Sequence, residues 1–557
     1  MENNHVGEDL DVIVIGAGLS GLTSVQFLLE RDPSLRILIL EASDRVGGRL
    51  AGVPVQIANS DQPKTFDFGG EWLLDDQKNV LELLDRLKLQ TFSDYNSSYS
   101  DTKSQYLKKL IQVGRKGKVR QIDASSPSTL LPSRPSRDTG IRSWMANLEL
   151  MYLIWKLDRI SRQISMANPY SYTSSTNPDH YMRHARGLDS ISVEAYLVSN
   201  TRFQSVRDVI TIKCRFMCGK DPSSISMLFL LAYANSQAGG FSNFLYGRPS
   251  HEGHDHEKKQ LAKPLKVVHG AWQICERLQK TFADKKILRL NEPVQGIASL
   301  DVDLSKHKEN SPSFRTPSAY VTTKTGSTYK CKHVICAVPP NMLSQIEFSP
   351  PLPPAKRHII NSMSMGSYIK FVLTYDEAYW LNTGYSGDLV SAGGFQKVST
   401  LEGEPITVLC DGTTYDGVPA LVGFLGGRLA VQWGQKGIDA LKSTVLENLS
   451  KYFGTWAREP VAFFIKDWSD ETFLGGGGVC APVVGSMHSF YTLRQPCGSV
   501  HFAGTETAVD YYGSMSGAIQ VRILLFDLQS ISERFYQLLC MFNQSLLFSL
   551  GWSTSSN

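Results

Sequence analysis

Residues 11–49 read DVIVIGAGLSGLTSVQFLLERDPSLRILILEASDRVGGR. An apolar run, Val12 to Ile15, opens directly into Gly16-Ala17-Gly18-Leu19-Ser20-Gly21, and a second apolar run, Ile37 to Leu40, ends at Glu41. The pattern predicts strand, glycine turn, helix, strand, acid. Gly16 permits the tight turn, Gly18 lets the backbone approach a pyrophosphate, and Gly21 lets the helix pack on the strand. The helix N-terminus then faces phosphates, and Glu41 lies where a ribose hydroxyl can be bound. A lone GxGxxG motif is weak evidence. Here a strand precedes it, an amphipathic segment (Leu22 to Leu29) follows it, and the acid falls about 20 residues further on, as the dinucleotide fingerprint requires.

The rest of the chain supplies more pieces of the same kind. Phe66-Asp67-Phe68-Gly69-Gly70-Glu71-Trp72 ends a short alternating strand in two glycines, which suggests close approach of backbone to a ligand. His333 to Pro340 reads as a buried strand ending at a rigid turn. Val500 to Thr507 followed by Gly513 to Ala518 again reads as strand, polar turn and helix N-terminus. Between these blocks, Trp144–Ile164 and Asp208–Ala234 are strongly apolar and helical in period. The basic run 108–120 alternates around Gly114 and Gly117 and is expected to be a solvated β-hairpin rather than a nucleic-acid patch. Residues 125–137, the His251–His256 cluster and residues 305–317 are polar and read as loops. A discontinuous nucleotide domain interleaved with a second lobe follows: 1–79, 262–342 and 470–530 for the first, 80–261 and 343–469 for the second, with a tail at 531–557.

With 557 residues, 42% hydrophobic and 20% charged, the chain has material for several lobes around a large core. A net charge of +4 is small for this length and argues against nucleic acid. Nine scattered cysteines lack metal-ligand spacing, so no metal site is expected and reduced thiols are. The polar N-terminus has no signal-peptide core, which suggests an intracellular, cytoplasmic protein; a mitochondrial or other membrane-associated site is the alternative. From Phe535 to Asn557 no residue is charged, and Phe535, Leu539, Phe542, Leu546 and Leu550 form a helical stripe. Asn543, Gln544 and Ser545 interrupt it, so it reads as a helix docked on the protein's own body or as a membrane-surface contact.

The blocks GAGLSGL (16–22), LEASDRVGGRL (40–50), FDFGGEW (66–72), CGKDPSSISMLFLL (218–231), HVICAVPP (333–340), FSPPLP (348–353), FAGTETA (502–508) and YGSMSGA (512–518) run in order over nearly the whole chain. Together they resemble the flavin-dependent amine oxidases, most closely the animal-type monoamine oxidases. The resemblance implies an α/β fold, with a discontinuous Rossmann-like FAD-binding domain interleaved with an α+β substrate domain. It also implies an FAD held by Gly16, Gly18, Ser20 and Gly21 at the pyrophosphate and by Glu41, beside Ala42, at the adenosine ribose. Arg45, Gly48 and Arg49 would line the phosphate and ribityl region, with Gly69 and Gly70 near the isoalloxazine and Val294 near the adenine. Glu506 would lie beside the ribityl chain, and Met515, at a helix start, would offer its N–H to the flavin pyrimidine edge. Trp468 matches a family tryptophan beside the flavin.

Departures from the family pattern are as informative. The position of the cysteine that carries covalent FAD is Gly477, so FAD is expected to be non-covalent, with Cys480 too displaced to substitute. The two family tyrosines that frame the amine correspond to Gly478 and Ser514, which suggests a roomier and less aromatic pocket. A family lysine that holds a water at the flavin corresponds in this reading to Gln345. His269-Gly270 stands where two glycines are usual. Trp72, Tyr233, Gln237, Tyr511 and Tyr512 are candidate pocket residues. The reaction implied is oxidation of a small-molecule amine, a monoamine first, by oxygen with release of hydrogen peroxide. Polyamine, amino-acid or C–C oxidation stays open, as does an FAD-stabilised protein without activity. For an amino acid, Arg215 is a candidate carboxylate partner.

Overall fold

The computed structural model describes residues 10–93, 109–113, 119–123, 140–171, 178–247, 262–300, 318–393 and 404–520. The uncharged tail, the histidine cluster, the Ser/Pro loop, the insertion before 318 and the turn of the basic hairpin lie outside them. The hairpin strands themselves, Lys109–Val113 and Val119–Asp123, pair antiparallel as expected.

The opening segment folds as its pattern dictates. Leu10–Ile15 is a strand, Leu19–Arg31 a helix and Ile37–Leu40 a parallel neighbouring strand. The four consecutive apolar residues in each strand are buried on both faces, as a parallel sheet covered on both sides demands. This sheet has eight strands drawn from distant parts of the chain. Leu10–Ile15 sits between Ile37–Leu40 and Thr328–Cys336, which pairs in turn with Ser318–Thr323 and with Val500–Phe502. Glu347–Ser349, beyond the boundary expected at 342, closes the edge beside Val294–Leu300.

A seven-stranded antiparallel sheet forms the second layer, in the order Ala462–Asp467, Tyr368–Thr374, Ala420–Gly426, Val408–Asp411, Tyr385–Ser391 and then the basic hairpin; Tyr385–Ser391 and Lys109–Val113 are its one parallel pair. Period-two alternation sorts its side chains. Ile369, Phe371 and Leu373 pack with Leu421 and Leu425 into one core, beneath the helix Ile438–Phe453. Tyr368, Lys370 and Phe424 turn the other way, and Lys370 is paired directly with Phe424. A helical lobe (Gly140–Ser161, Pro178–Asp189, Val193–Asn200, Gln204–Cys218, Met227–Ala238) completes the fold. The apolar stretch expected as one helix from Asp208 to Ala234 is two. Gly219 ends the first with φ +66, a conformation costly for other residues, and Ser226 caps the second.

Two histidines in the first sheet make its stability pH-dependent. His333 and His501 lie 5.5 Å apart with neither Nδ1 hydrogen-bonded. Burial, helped by the neighbouring His333, pushes His501 down from an ordinary 6.5 to about 4. Between those values the unfolded chain binds a proton that the folded chain refuses, so stability is full above about 6.5 and falls on acidification. From about pH 7 to about pH 4.5 the loss from this group is roughly 2 kcal/mol. Thermal melts across that range should show His501→Gln with a flatter pH slope than the parent.

Candidate active site

One large cavity of about 460 Å³ runs between the first sheet, the glycine turns and the seven-stranded sheet. Its lining includes Gly16, Gly18, Ser20, Glu41, Ala42, Arg45, Gly48, Arg49, Gly69, Gly70, Val294, Glu506 and Met515, with Gln345 and Trp468. Pieces hundreds of residues apart are thus brought to one void. Gly21 stands apart from it. A Cβ there would lie 2.0 Å from the Gly16 carbonyl, so Gly21 serves the packing of helix on strand.

At the fingerprint end, Glu41 is already engaged. It accepts hydrogen bonds from the Ala17 amide (2.6 Å) and from the amide and hydroxyl of Ser43 (2.9 and 2.8 Å), which fixes the glycine turn against the second strand. Ser20, in the first turn of the helix, has a buried hydroxyl with no protein partner. An unsatisfied buried hydroxyl beside free helix N–H groups is a cradle for an anion. Arg45 holds the DRVGGR loop together, donating to the carbonyls of Gly48 and Leu50 (3.1 and 3.2 Å) and to Glu471 (3.1 Å). Arg49 meets Glu506 through both carboxylate oxygens, at 2.6 and 3.0 Å, with Glu506 only 1% exposed. An acid lining an anion site is tolerable because this guanidinium neutralises it. Met515 opens a helix and lines the same void, so a second helix N-terminus borders it.

Toward the second sheet the lining becomes apolar and aromatic: Trp72, Phe216, Met217, Tyr368 and Phe424. The rings touch, with Phe424 5.6 Å from Trp72, 5.5 Å from Phe216 and 5.8 Å from Tyr368. Into this wall projects Lys370, 1% exposed, bonded to Glu71 at 2.6 Å and 5.2 Å from the rings of both Trp72 and Phe424. Lys266 reaches the other Glu71 oxygen at 3.2 Å. Burial alone would raise Glu71, but the two ammonium groups outweigh it and hold the carboxyl below its ordinary value. Next to it, burial and the Glu71 charge push Asp67 up to about 7. Asp67 accepts the amides of Ala271 and Trp272 (2.7 and 3.0 Å), tying FDFGGEW to the helix Gln273–Thr281.

Several expectations are corrected by this geometry. Gln345 lines the cavity from the end of a 3-10 turn, and a lysine that was not expected there, Lys370, stands in its wall as well. Aromatic rings that were not expected do line it: Tyr368 and Phe424 from the second sheet, and Phe216 from the helix Gln204–Cys218. Tyr233, Gln237, Tyr511 and Tyr512 do not line it, and Tyr233 and Tyr512 belong to a packed aromatic cluster with Phe229. His269 is exposed, with φ +64, in a separate shallow surface pocket. Arg215 is buried on Asp221 (2.8 and 2.5 Å) and does not reach the cavity. Trp468 fits its expected place: it lines the void and its indole N–H donates to the Phe68 carbonyl at 3.0 Å.

Gly477, Gly478 and Ser514 all line the cavity. No side chain fits at 477 without movement, since a Cβ would lie 2.8 Å from Trp468. Cys480 does not line the void; its thiol is turned to Asn341 at 3.5 Å, and burial pushes it up to about 12. It cannot act as a thiolate toward a flavin. Among the described residues no cluster of metal-ligating side chains occurs.

The model of the flavin containing amine oxidoreductases matches residues 19–521. The chain belongs to this family. It is similar to a Dictyostelium discoideum protein described as a flavin-containing monoamine oxidase A, 27% identical over 92% of this chain and 95% of that one. It is similar also to flavin-containing amine oxidase A of Canis lupus familiaris, 27% identical over 92% of this chain and 84% of that one. Among solved structures, putrescine oxidase bound to putrescine matches with a TM-score of 0.74 and 25% identity, covering 94% of this chain and 99% of that one. Cyclohexylamine oxidase from Brevibacterium oxydans shares the fold, at a TM-score of 0.71 and 23% identity.

As a flavin-containing amine oxidase the chain uses FAD, and with Gly477 at the cavity wall the cofactor is non-covalent. Acid precipitation of the purified protein should leave the yellow colour in the supernatant. Gly477→Cys should lower the thermal midpoint, because the added Cβ collides with Trp468.

Proposed function

We propose that this amine oxidase oxidises a monoamine with an apolar body to the imine, which water hydrolyses to aldehyde and ammonia or amine, with oxygen reduced to hydrogen peroxide. The observation that carries the reading is the wall opposite the glycine turns: aromatic rings around one buried lysine, with every carboxylate of that wall already paired. FAD, held by the residues from Gly16 to Arg49 with Glu506 and Met515, would supply the two-electron acceptor for the carbon next to nitrogen.

The chain's own contribution is orientation, desolvation and charge. Trp72, Phe216, Tyr368 and Phe424 exclude water and bind the apolar body. The Lys370 ammonium disfavours a second positive charge beside it, so the amine reacts as the neutral base. Glu71, shared by Lys370 and Lys266, fixes the position of Lys370 in an apolar setting. Trp468 sets the position of the Phe68–Gly69–Gly70 backbone along the void. A second ammonium, as in a diamine, finds no uncommitted carboxylate among the described residues of this wall: Glu71 is held by Lys370 and Lys266, and Glu471 by Arg45 and Lys466. An amino-acid carboxylate finds no uncommitted arginine among the described residues of the lining, where Arg45 is paired with Glu471 and Arg49 with Glu506.

Peroxide release measured with aromatic and aliphatic monoamines, a diamine and an amino acid tests the assignment. Turnover should be largest with monoamines and should rise with pH as the free base becomes available. Greater turnover with the diamine or the amino acid would contradict it.

A further inference from the structure

The helix Gly140–Ser161 is apolar on two faces, and only one is covered. Ala146, Leu150, Leu153, Ile154 and Leu157 are buried in the helical lobe. On the other side Trp144, Met145, Leu148, Met151, Tyr152 and Trp155 recur at the spacing of one helical face and are 40–63% exposed. So large a contiguous patch of apolar side chains marks a contact site. Its charges have a sign. The acids between 144 and 161 are Glu149 and Asp158, and both point inward: Glu149 accepts the amides of Arg202 and Phe203 (2.7 and 3.0 Å), and Asp158 that of Ser242 (2.8 Å). One and two turns beyond Trp155, Arg159 and Arg162 stand exposed, Arg162 keeping an ion pair with Asp158 at 2.7 Å.

We propose that this face lies on a bilayer surface carrying anionic lipid, with the helix axis in the membrane plane. Tryptophan and tyrosine are favoured at the level of lipid headgroups, methionine and leucine reach the acyl boundary, and arginines at the edge meet lipid phosphates. A second copy of the chain is a poorer fit, because among the described residues this helix carries cations at the edge of the face and no outward carboxylate, and so is not complementary to itself in charge. The inward face, packed against three other helices, keeps the helix on the surface rather than across the bilayer. No helix of the described residues is long and apolar enough to cross a membrane.

Flotation of the full chain with phosphatidylcholine vesicles, with and without phosphatidylserine, tests this. Binding should require phosphatidylserine, weaken with salt, and bring quenching of tryptophan emission by brominated acyl chains. The full-length double variant Met151→Ser/Trp155→Ser, altered at positions more than half exposed and so expected to fold, should bind at least tenfold more weakly with unchanged thermal midpoint. Equal binding of variant and parent, or no binding of the parent, overturns the proposal. So does a change in the sedimentation of the lipid-free protein on substitution, which would make the face an interface between copies.

Discussion

Lys370→Met is expected to cut peroxide-producing turnover about a hundredfold while FAD stays bound. Lys370 stands in the wall proposed to bind the amine, 1% exposed and held between Glu71, Trp72 and Phe424. Preorganised charge in a water-excluded site is typically worth about 10²–10³ in rate. The fold should tolerate the change, since Met matches the stem of Lys in volume and Glu71 keeps Lys266 at 3.2 Å. The loss should appear in kcat and not in flavin content. Lys370→Arg should recover little, because the larger planar group does not fit between the two rings. A Met variant with full turnover would show that the lysine is structural.

Arg49→Met is expected to damage the holoprotein most. Its guanidinium is the only ion-pair partner of Glu506 among the described residues, and Glu506 is 1% exposed. Removing one partner of a buried pair costs about 3–5 kcal/mol, because the remaining charge has nowhere to be solvated. In this position the stranded carboxylate also faces the phosphate end of the cavity, so FAD retention should fall with stability. Arg49→Met/Glu506→Gln removes both charges and should recover a large part of the stability, though not the FAD affinity. Denaturant melts of apo- and FAD-loaded protein separate the two effects. Equal stability of the single and double variants would contradict the pairing.

What was legible in the sequence was local. The glycine turn, its flanking strands and Glu41 fall within one βαβ unit, so spacing alone places them, and the FAGTET block is read in the same way. Lys370 was not legible by that route. Its role depends on sheet pairing, which sets it opposite Phe424, and on Glu71, which lies 299 positions away. One signal was present: a single lysine inside the apolar strand YIKFVLT. Gln345, expected where the family lysine stands, lies at the end of a short 3-10 turn and lines the same cavity. The candidate tyrosines failed for another reason. Tyr233 and Tyr512 are buried in one aromatic cluster with Phe229, and burial alone does not tell core from pocket.

Anaerobic mixing of the FAD-loaded protein with a monoamine tests the central claim most directly. Bleaching of the oxidised flavin spectrum, followed by its return and by peroxide on admission of oxygen, is the result expected. A protein that holds FAD in this cavity yet shows no bleaching with any monoamine, diamine or amino acid would contradict the account, Lys370 and aromatic wall included.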